Sequence, residues 1–446
     1  MAEPRPGRTG RRRRTALGPL DEAIHHLDSP AEPWSIQLEA RVHGVVDESR
    51  LAAAVDAALR HHPRARARMT AGRGSRPYWE VAPEPDVDAL DVVACVDDDE
   101  LAAAREELYQ RAPAVTTSPP LRVRLARHPA GDVVMLNLHH AVADGLSALA
   151  VLRSIAAAYA GQPLAPDVAA ETVDVPVSAG WAWARTVLGE LRGAAARYTH
   201  VVPEGGRDRA GYGFFHRSLT AEQTTALVKG AKNGGTTVND LLVAALHKAV
   251  ERWDAEHHVG AGLVGVLVPV NVRPRSGWYD GVGNFSFLVP VVTRPHDRVS
   301  GSTTLAAVRR RTGQIKERRT AAAVVKLLSR LGSLPLWLRH RLTEVTARPA
   351  VMPTAILSNL GRLPDGLDFG PGLGPPVEMW FSPPTKMPLG LGLGAVTVGG
   401  RLHLAFRYRH PLLGPGQAAR FAEEYFDALA ELVPGLAHRD IDPVAA

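Results

Sequence analysis

From Ile36 the chain alternates Ile36, Leu38, Ala40 and Val42 against Gln37, Glu39, Arg41 and His43. That two-residue period predicts a strand with one buried face, closed by Gly44. Asp47 then precedes Leu51, Ala54, Val55, Ala58 and Leu59, whose spacing predicts a helix capped by Asp47. Leu121, Val123 and Leu125 alternate with Arg122 and Arg124 in another strand, and the mostly apolar run from Val133 to Leu138 fits a strand buried on both faces. After a short loop, Leu146, Leu149, Leu152, Ile155 and Tyr159 predict a second amphipathic helix.

Between residues 160 and 210 the pattern breaks. Pro163, Pro166, Pro176, Pro203, Gly205 and Gly206 surround a short helix with Trp181 and Trp183, which marks an interlobe connection. The second half restarts with a capping box, Thr220 to Gln223, and a helix opening at Thr237 that carries Val238, Leu241, Leu242, Ala245, Leu246, Ala249 and Trp253. Strands are expected at Leu263 to Val272, Phe285 to Val292, Ala355 to Ser358, Val377 to Phe381 and Leu402 to Tyr408, before a terminal helix near Gln417 to Leu432. Helices and strands alternate in both halves, so the fold class is α/β with two lobes. The divisions are a basic arm at residues 1–18, an N-terminal lobe at 19–175, a connection at 176–210 and a C-terminal lobe at 211–446.

Two lobes also suit 446 residues, a length beyond a single hydrophobic core. The net charge of +6 first suggests a nucleic-acid partner. Its location argues otherwise. Arg5, Arg8, Arg11, Arg12, Arg13 and Arg14 stand against Glu3, so five of the six charges belong to residues 1–18 and the remainder is nearly neutral. With no apolar face, that arm is expected to be disordered and solvated, and no apolar run follows it to make an export signal. No stretch is long and apolar enough to span a membrane. Cys95 alone excludes a disulfide framework or multi-thiolate site within the chain, so a reducing cytoplasmic setting is expected.

Histidine pairs occur at His25/His26, His61/His62, His139/His140 and His257/His258. Three fall at helix ends or turns, where exposed histidine is expected. The pair at 139/140 ends a buried strand and is followed by Ala141, Val142, Ala143, Asp144 and Gly145. Chance would place an Asp-Gly at that offset behind one of four pairs in about 0.02 of such sequences. Neutral imidazole accepts a proton from an amine or alcohol near pH 7. Asp144 is suited to pair with an arginine or backbone donors, and Gly145 to permit a tight turn into the helix. The same residues would equally suit a satisfied core histidine beside a helix-capping aspartate.

His139-His140-Ala141-Val142-Ala143-Asp144-Gly145 resembles the HHxxxDG motif of the chloramphenicol acetyltransferase-like superfamily, which includes nonribosomal peptide condensation domains, polyketide-associated acyltransferases and wax ester synthase/diacylglycerol acyltransferases. The resemblance spans residues 20 to 435. It includes Gly44-Val45-Val46-Asp47, His61-His62-Pro63, Ser118-Pro119-Pro120-Leu121-Arg122, Thr237-Val238-Asn239-Asp240, Pro269-Val270-Asn271-Val272-Arg273-Pro274, Gly283-Asn284-Phe285-Ser286 and Ser358-Asn359-Leu360-Gly361 in family order. Leu367-Asp368-Phe369-Gly370 is followed by Pro371, which departs from the Asp-Phe-Gly-Trp-Gly hallmark of plant acyltransferases.

The resemblance implies a pseudo-dimer of two such lobes flanking a tunnel. The catalytic set is His139, His140, Asp144 and Gly145, with His140 deprotonating an acceptor as it attacks a thioester. Asp144 is structural, paired with Arg273, while Asn284, Ser286, Ser358 and Asn359 line the tunnel. The implied function is a stand-alone acyltransferase, acting in trans on acyl-coenzyme A or an acyl-phosphopantetheine carrier protein and on a small amine or hydroxyl acceptor. No permanent cofactor, metal or nucleic acid is expected, and a monomer is expected. The alternatives are a non-catalytic condensation-like domain that recruits a carrier protein, and a DNA-binding protein using its arginine arm.

Other candidates are weaker. No Gly-x-Ser-x-Gly elbow occurs. Gly390, Gly392 and Gly394 read as a strand or bulge. Cys95, followed by Asp97, Asp98 and Asp99, is a poor nucleophile. Arg309, Arg310, Arg311, Lys316, Arg318 and Arg319 read as a solvated helix face, with the phosphates of coenzyme A or an acidic carrier as the alternative partner.

Overall fold

The computed structural model describes residues 14–71, 77–164, 181–194, 196–206, 210–260, 262–273, 281–332, 334–346, 351–363 and 367–436. The expected arm lies outside the described residues for 1–13. Its last part does not behave as an arm: Arg14–Ala16 is a strand, β1, pairing antiparallel with β4 (Tyr78–Val81), whose other edge carries β3 (Ala67–Thr70). Backbone pairing and Arg14 over the Tyr78 ring at 4.7 Å provide contacts that the basic composition concealed.

The first lobe is built on a five-stranded sheet of order β12-β2-β7-β6-β5. Its strands are Glu378–Ser382 (β12), Ser35–Arg41 (β2), Val133–His139 (β7), Leu121–Arg127 (β6) and Leu90–Ala94 (β5). Helices α2 (Glu48–His61) and α4 (Gly145–Tyr159) pack together on one face. Asp47 caps α2 by accepting from Arg50 N–H, and the five apolar residues spaced along the helix are those buried. Helix α3 (Asp98–Tyr109) covers the other face through Leu101, Ala104, Leu108 and Tyr109 against Ala126, Val133 and Met135. With both faces covered, β7 is buried throughout.

The second lobe has a six-stranded sheet of order β10-β9-β11-β13-β14-β8. These are β10 (Ser286–Thr293), β9 (Val264–Asn271), β11 (Ala355–Arg362), β13 (Leu391–Val398), β14 (Arg401–Arg409) and β8 (Tyr212–Ser218). Helices α7 (Val238–Glu256) and α11 (Pro415–Leu432) bury Leu242, Leu246, Trp253, Phe421, Tyr425 and Phe426 against it. Thr237 and Asp240 form the capping box of α7, and Thr220 with Gln223 that of α6 (Ala221–Asn233). Of the expected connection, α5 (Trp181–Ala194) is described, while 176–180, 195 and 207–209 lie outside the described residues. Its later part is stitched to the second lobe by Thr199 N–H to Leu263 and Val202 N–H to Asp254.

The halves of the sequence are not the lobes. β12, from the C-terminal half, pairs with β2 in the first sheet while lying against β13 and β14 of the second. The alternating glycines make that crossing possible: a Cβ at Gly394 would stand 1.7 Å from Phe381 O, and one at Gly392 would stand 2.6 Å from Thr385 Cγ2. Gly392 and Gly394 belong to β13, as expected, while Gly390 stands just before it, and the lack of side chains at the two strand positions lets another backbone lie on it.

The expected exposed histidines are largely covered. His62 is buried against Ser154 Oγ at 2.8 Å, and His25 and His26 are half-buried, with His26 meeting His340 of α10 (Leu336–Thr346). Cys95 is buried, and burial together with Glu100 raises its thiol pKa, which agrees with a poor nucleophile. On α8 (Gly301–Glu317), Arg311 reaches Glu190 of α5 at 2.9 Å and Arg310 meets Asp297, so part of the basic face is paired within the chain.

Candidate active site

β7 ends at His139 and α4 begins at Gly145, so residues 140–144 must reverse the chain outside either ladder. His140 N–H donates to Trp34 O at 2.8 Å, Val142 N–H to His139 O at 3.0 Å, and Ala141 N–H to His139 Nδ1 at 3.0 Å. The last bond leaves the proton of a neutral His139 on Nε2, which faces Asp28 Oδ2 at 3.4 Å. His139, grouped with the catalytic residues on the strength of the motif, is thus buried with both ring nitrogens engaged.

His140 differs. Within residues 139–144 it alone is partly exposed. Its Nδ1 lies 3.1 Å from Ala143 O. A carbonyl only accepts, so this bond requires the proton on Nδ1 and leaves Nε2 as the basic atom. Burial holds the ring pKa below its ordinary 6.5, while Asp144 opposes that effect. The ring is neutral at pH 7 and able to take a proton.

Asp144 caps α4 by accepting from Ser147 N–H at 3.0 Å. The same carboxylate meets the second lobe: Arg273 Nη1 and Nη2 donate to Oδ2 and Oδ1 at 2.8 and 2.5 Å, and Phe285 N–H and Ser286 Oγ–H donate to Oδ2 at 3.0 Å each. Burial favours the neutral acid, but the Arg273 guanidinium and these donors outweigh it and lower the carboxyl pKa. Arg273 also donates to Ser147 Oγ at 2.5 Å and stacks 4.5 Å over Phe285. Asp144 N–H, in turn, donates to Gly283 O. Cap and ion pair are both present, so the two sequence readings of Asp144 describe one residue.

The remaining candidates divide. Asn284 Nδ2 bridges Asp21 Oδ1 at 3.0 Å and Ala141 O at 2.9 Å, and Ser286 binds Asp144, so both are structural ties at the lobe junction. Ser358 pairs with Gly394 on β13, and Asn359 Oδ1 accepts from Gly361 N–H at 2.7 Å beside a register shift. Leu360 is what reaches the motif from β11. A Cβ at Gly145 would stand 3.1 Å from Leu360 Cδ2 and 3.2 Å from two Phe381 ring atoms. Gly145 is thus closely packed by Leu360 and Phe381, and its backbone, at the start of α4, lies outside the left-handed region. Pro274, quoted with Arg273 in the resemblance, lies outside the described residues. Sequence reasoning missed Asp21 and Trp34, because their partners are remote in the chain.

Among known proteins, a condensation-domain profile matches residues 23–169. An uncharacterised protein of Mycobacterium tuberculosis is 35% identical over 430 residues, covering 93% of this chain and 98% of its own length. The chain belongs to the condensation-domain family of the chloramphenicol acetyltransferase-like superfamily. A mycosubtilin synthase polypeptide of Bacillus subtilis is 24% identical over 355 residues, which cover 73% of this condensation-family chain and 13% of the synthase polypeptide. In solved structures, the first condensation domain of the calcium-dependent antibiotic synthetase, in complex with a substrate analogue, matches with a TM-score of 0.69 and 16% identity, covering 96% of this chain and 100% of that one. The SgcC5 protein of Streptomyces globisporus matches with a TM-score of 0.62 and 18% identity over 93% of this chain and 98% of its own. The fold is the two-lobed α/β architecture of condensation domains. The family forms amide or ester bonds and works with carrier-bound substrates. Among the described residues no helix is long and apolar enough to cross a membrane.

Proposed function

We propose that the protein is an acyltransferase of condensation type, acting in trans from the cytoplasm as a monomer, with His140 as general base in a tunnel between the lobes where the two substrates meet. The carrying observation is the bond between His140 Nδ1 and Ala143 O in a ring whose pKa is lowered by burial, because it leaves a basic Nε2 at neutral pH. An acceptor hydroxyl or amine gives its proton to Nε2 as its oxygen or nitrogen forms a bond to the thioester carbonyl carbon. The tetrahedral adduct then expels the thiolate, which recovers the proton from Nε2–H, so no acyl-enzyme forms. Asp144 and Arg273 hold the lobes in register around this atom.

The donor is a pantetheine thioester, on coenzyme A or a carrier protein, with no permanently bound cofactor. Action in trans is supported by the Mycobacterium tuberculosis relative, whose own length this chain covers to 98%. A hydroxyl acceptor is supported by SgcC5, whose structure holds a naphthyl ethanediol. An epimerization domain of tyrocidine synthetase shares the fold with a TM-score of 0.64, so architecture alone does not select the reaction. Incubation with acyl-coenzyme A or acyl-pantetheine and a panel of alcohols and amines tests the proposal by mass spectrometry. Ester or amide formation with stoichiometric thiol release is expected. Donor consumption by hydrolysis alone, or epimerisation without transfer, would overturn it.

A further inference from the structure

Residues 141–143 are buried, and a buried carbonyl outside helix and sheet needs a donor from elsewhere. Ala143 O receives His140 Nδ1. The carbonyls before it are held by a residue that enters neither the motif nor the lobe junction: Arg64 Nε donates to Val142 O at 3.0 Å, and Arg64 Nη2 lies 3.4 Å from Ala141 O. Arg64 sits on the 3-10 turn Pro63–Arg66 that follows α2, remote in sequence from both carbonyls.

Its own orientation is determined on two sides. Asp21 Oδ2 accepts from Arg64 Nη2 at 2.6 Å, and the guanidinium lies 4.1 Å above the Trp79 ring. Trp79 Nε1–H and Gly18 N–H donate to the same Asp21 oxygen at 2.9 Å each. The other oxygen, Oδ1, accepts from Asn284, whose amide also donates to Ala141 O. The histidine turn is therefore held twice: by Asp144 and Arg273 at its end, and by Asp21, Arg64 and Asn284 at its middle.

We propose that Arg64 is a positioning residue for His140, whose planar fork grips the Ala141 and Val142 carbonyls and so maintains the turn in which His140 Nδ1 faces Ala143 O. The inference rests on the reading of His140 as a base. Lysine cannot take over, because an ammonium is a compact point donor and cannot serve Val142, Ala141 and Asp21 together while lying flat on Trp79. Loss of the fork frees the turn, lets water reach the ring and relieves the burial that lowers its pKa.

The test uses Arg64→Lys, which keeps the charge beside Asp21, and Arg64→Met, which keeps much of the stem. The His140 ring is followed by nitrogen-15 NMR through a pH titration in the full chain, with folding checked by near-ultraviolet circular dichroism. In folded variants the titration midpoint is expected to rise toward 6.5 and the Nδ1–H form to lose its dominance. With octanoyl-coenzyme A as donor, kcat is expected to fall about 10- to 100-fold while KM changes little, as for a displaced catalytic group. If Arg64→Met does not fold, Arg64→Lys is the variant read. A folded variant with unchanged midpoint and tautomer overturns the inference. Full activity in His140→Ala would instead overturn the base reading, and the titration would still decide what Arg64 holds.

Discussion

Arg273 and Asp144 meet in a two-bonded fork with their side chains almost wholly withdrawn from water, 1% and 2% exposed. The guanidinium comes from just beyond β9 of the second lobe and the carboxylate from the cap of α4 in the first. Because both charges are buried, removing either leaves the other without a counter-charge.

Asp144→Ala is therefore expected to destabilise the protein by about 3–5 kcal/mol. The folded carboxyl pKa is lowered, so its contribution is present above the ordinary carboxylate range and is lost as pH falls through the folded value. Urea unfolding should show the full gap from wild type at pH 7 and a narrowing gap under acid. An unchanged midpoint at pH 7 would remove the structural role of the pair.

His140→Ala should separate rate from stability. Turnover is expected to fall by roughly 10² to 10⁴, the usual contribution of a general base. Its side chain closes one local hydrogen bond, to Ala143, and one ring contact, with Trp34, so thermal unfolding should shift little. Activity retained in this variant would refute the mechanism.

The pH profile carries the burial of His140. A base must be neutral, and burial lowers its pKa, so the acid limb of kcat/KM is expected below 6.5, with a plateau through pH 7 to 8. An acid limb centred above 6.5 would contradict the environment of the ring.

Asp254 predicts the opposite sign for stability. Burial raises its pKa to about 6, although Val202 N–H donates to Oδ1. A raised carboxyl pKa gives stability that is complete below the unfolded value and is lost as pH rises through 6. Asp254→Asn retains an oxygen for Val202 and stays neutral, so Tm should rise by roughly 2 °C at pH 8 and not at pH 4. Equal shifts at both pH values would refute the ionisation.

Gly394→Ala tests the lobe crossing. The new Cβ would overlap Phe381 O, a backbone atom that cannot rotate away. Destabilisation of about 3 kcal/mol is expected, at the upper end for overpacking. A protein with wild-type thermal stability would mean that β12 does not cross there.

Local order was legible in the chain itself. The alternation from Ile36, the run from Val133 to Leu138 and the spacing of Leu51 to Leu59 specified β2, β7 and α2, because strand and helix periods depend on near neighbours. The caps at Asp47, Thr220 and Thr237 were legible for the same reason, and the motif with its family resemblance led to Asp144 and Arg273. The small sheet of β1, β3 and β4 was not, since short strands bear too few residues to display a period. The sequence by itself determined the alternating α/β elements, the histidine-bearing turn and the near neutrality of the chain beyond its first residues. Only the tertiary structure decided that β12 crosses between lobes, that Phe381 packs closely on Gly145, that Asn284 ties Asp21 to Ala141, and that Arg64 holds the turn. Those contacts join residues tens to hundreds of positions apart, and their energy depends on burial and bond geometry that exist only once the lobes have closed on one another.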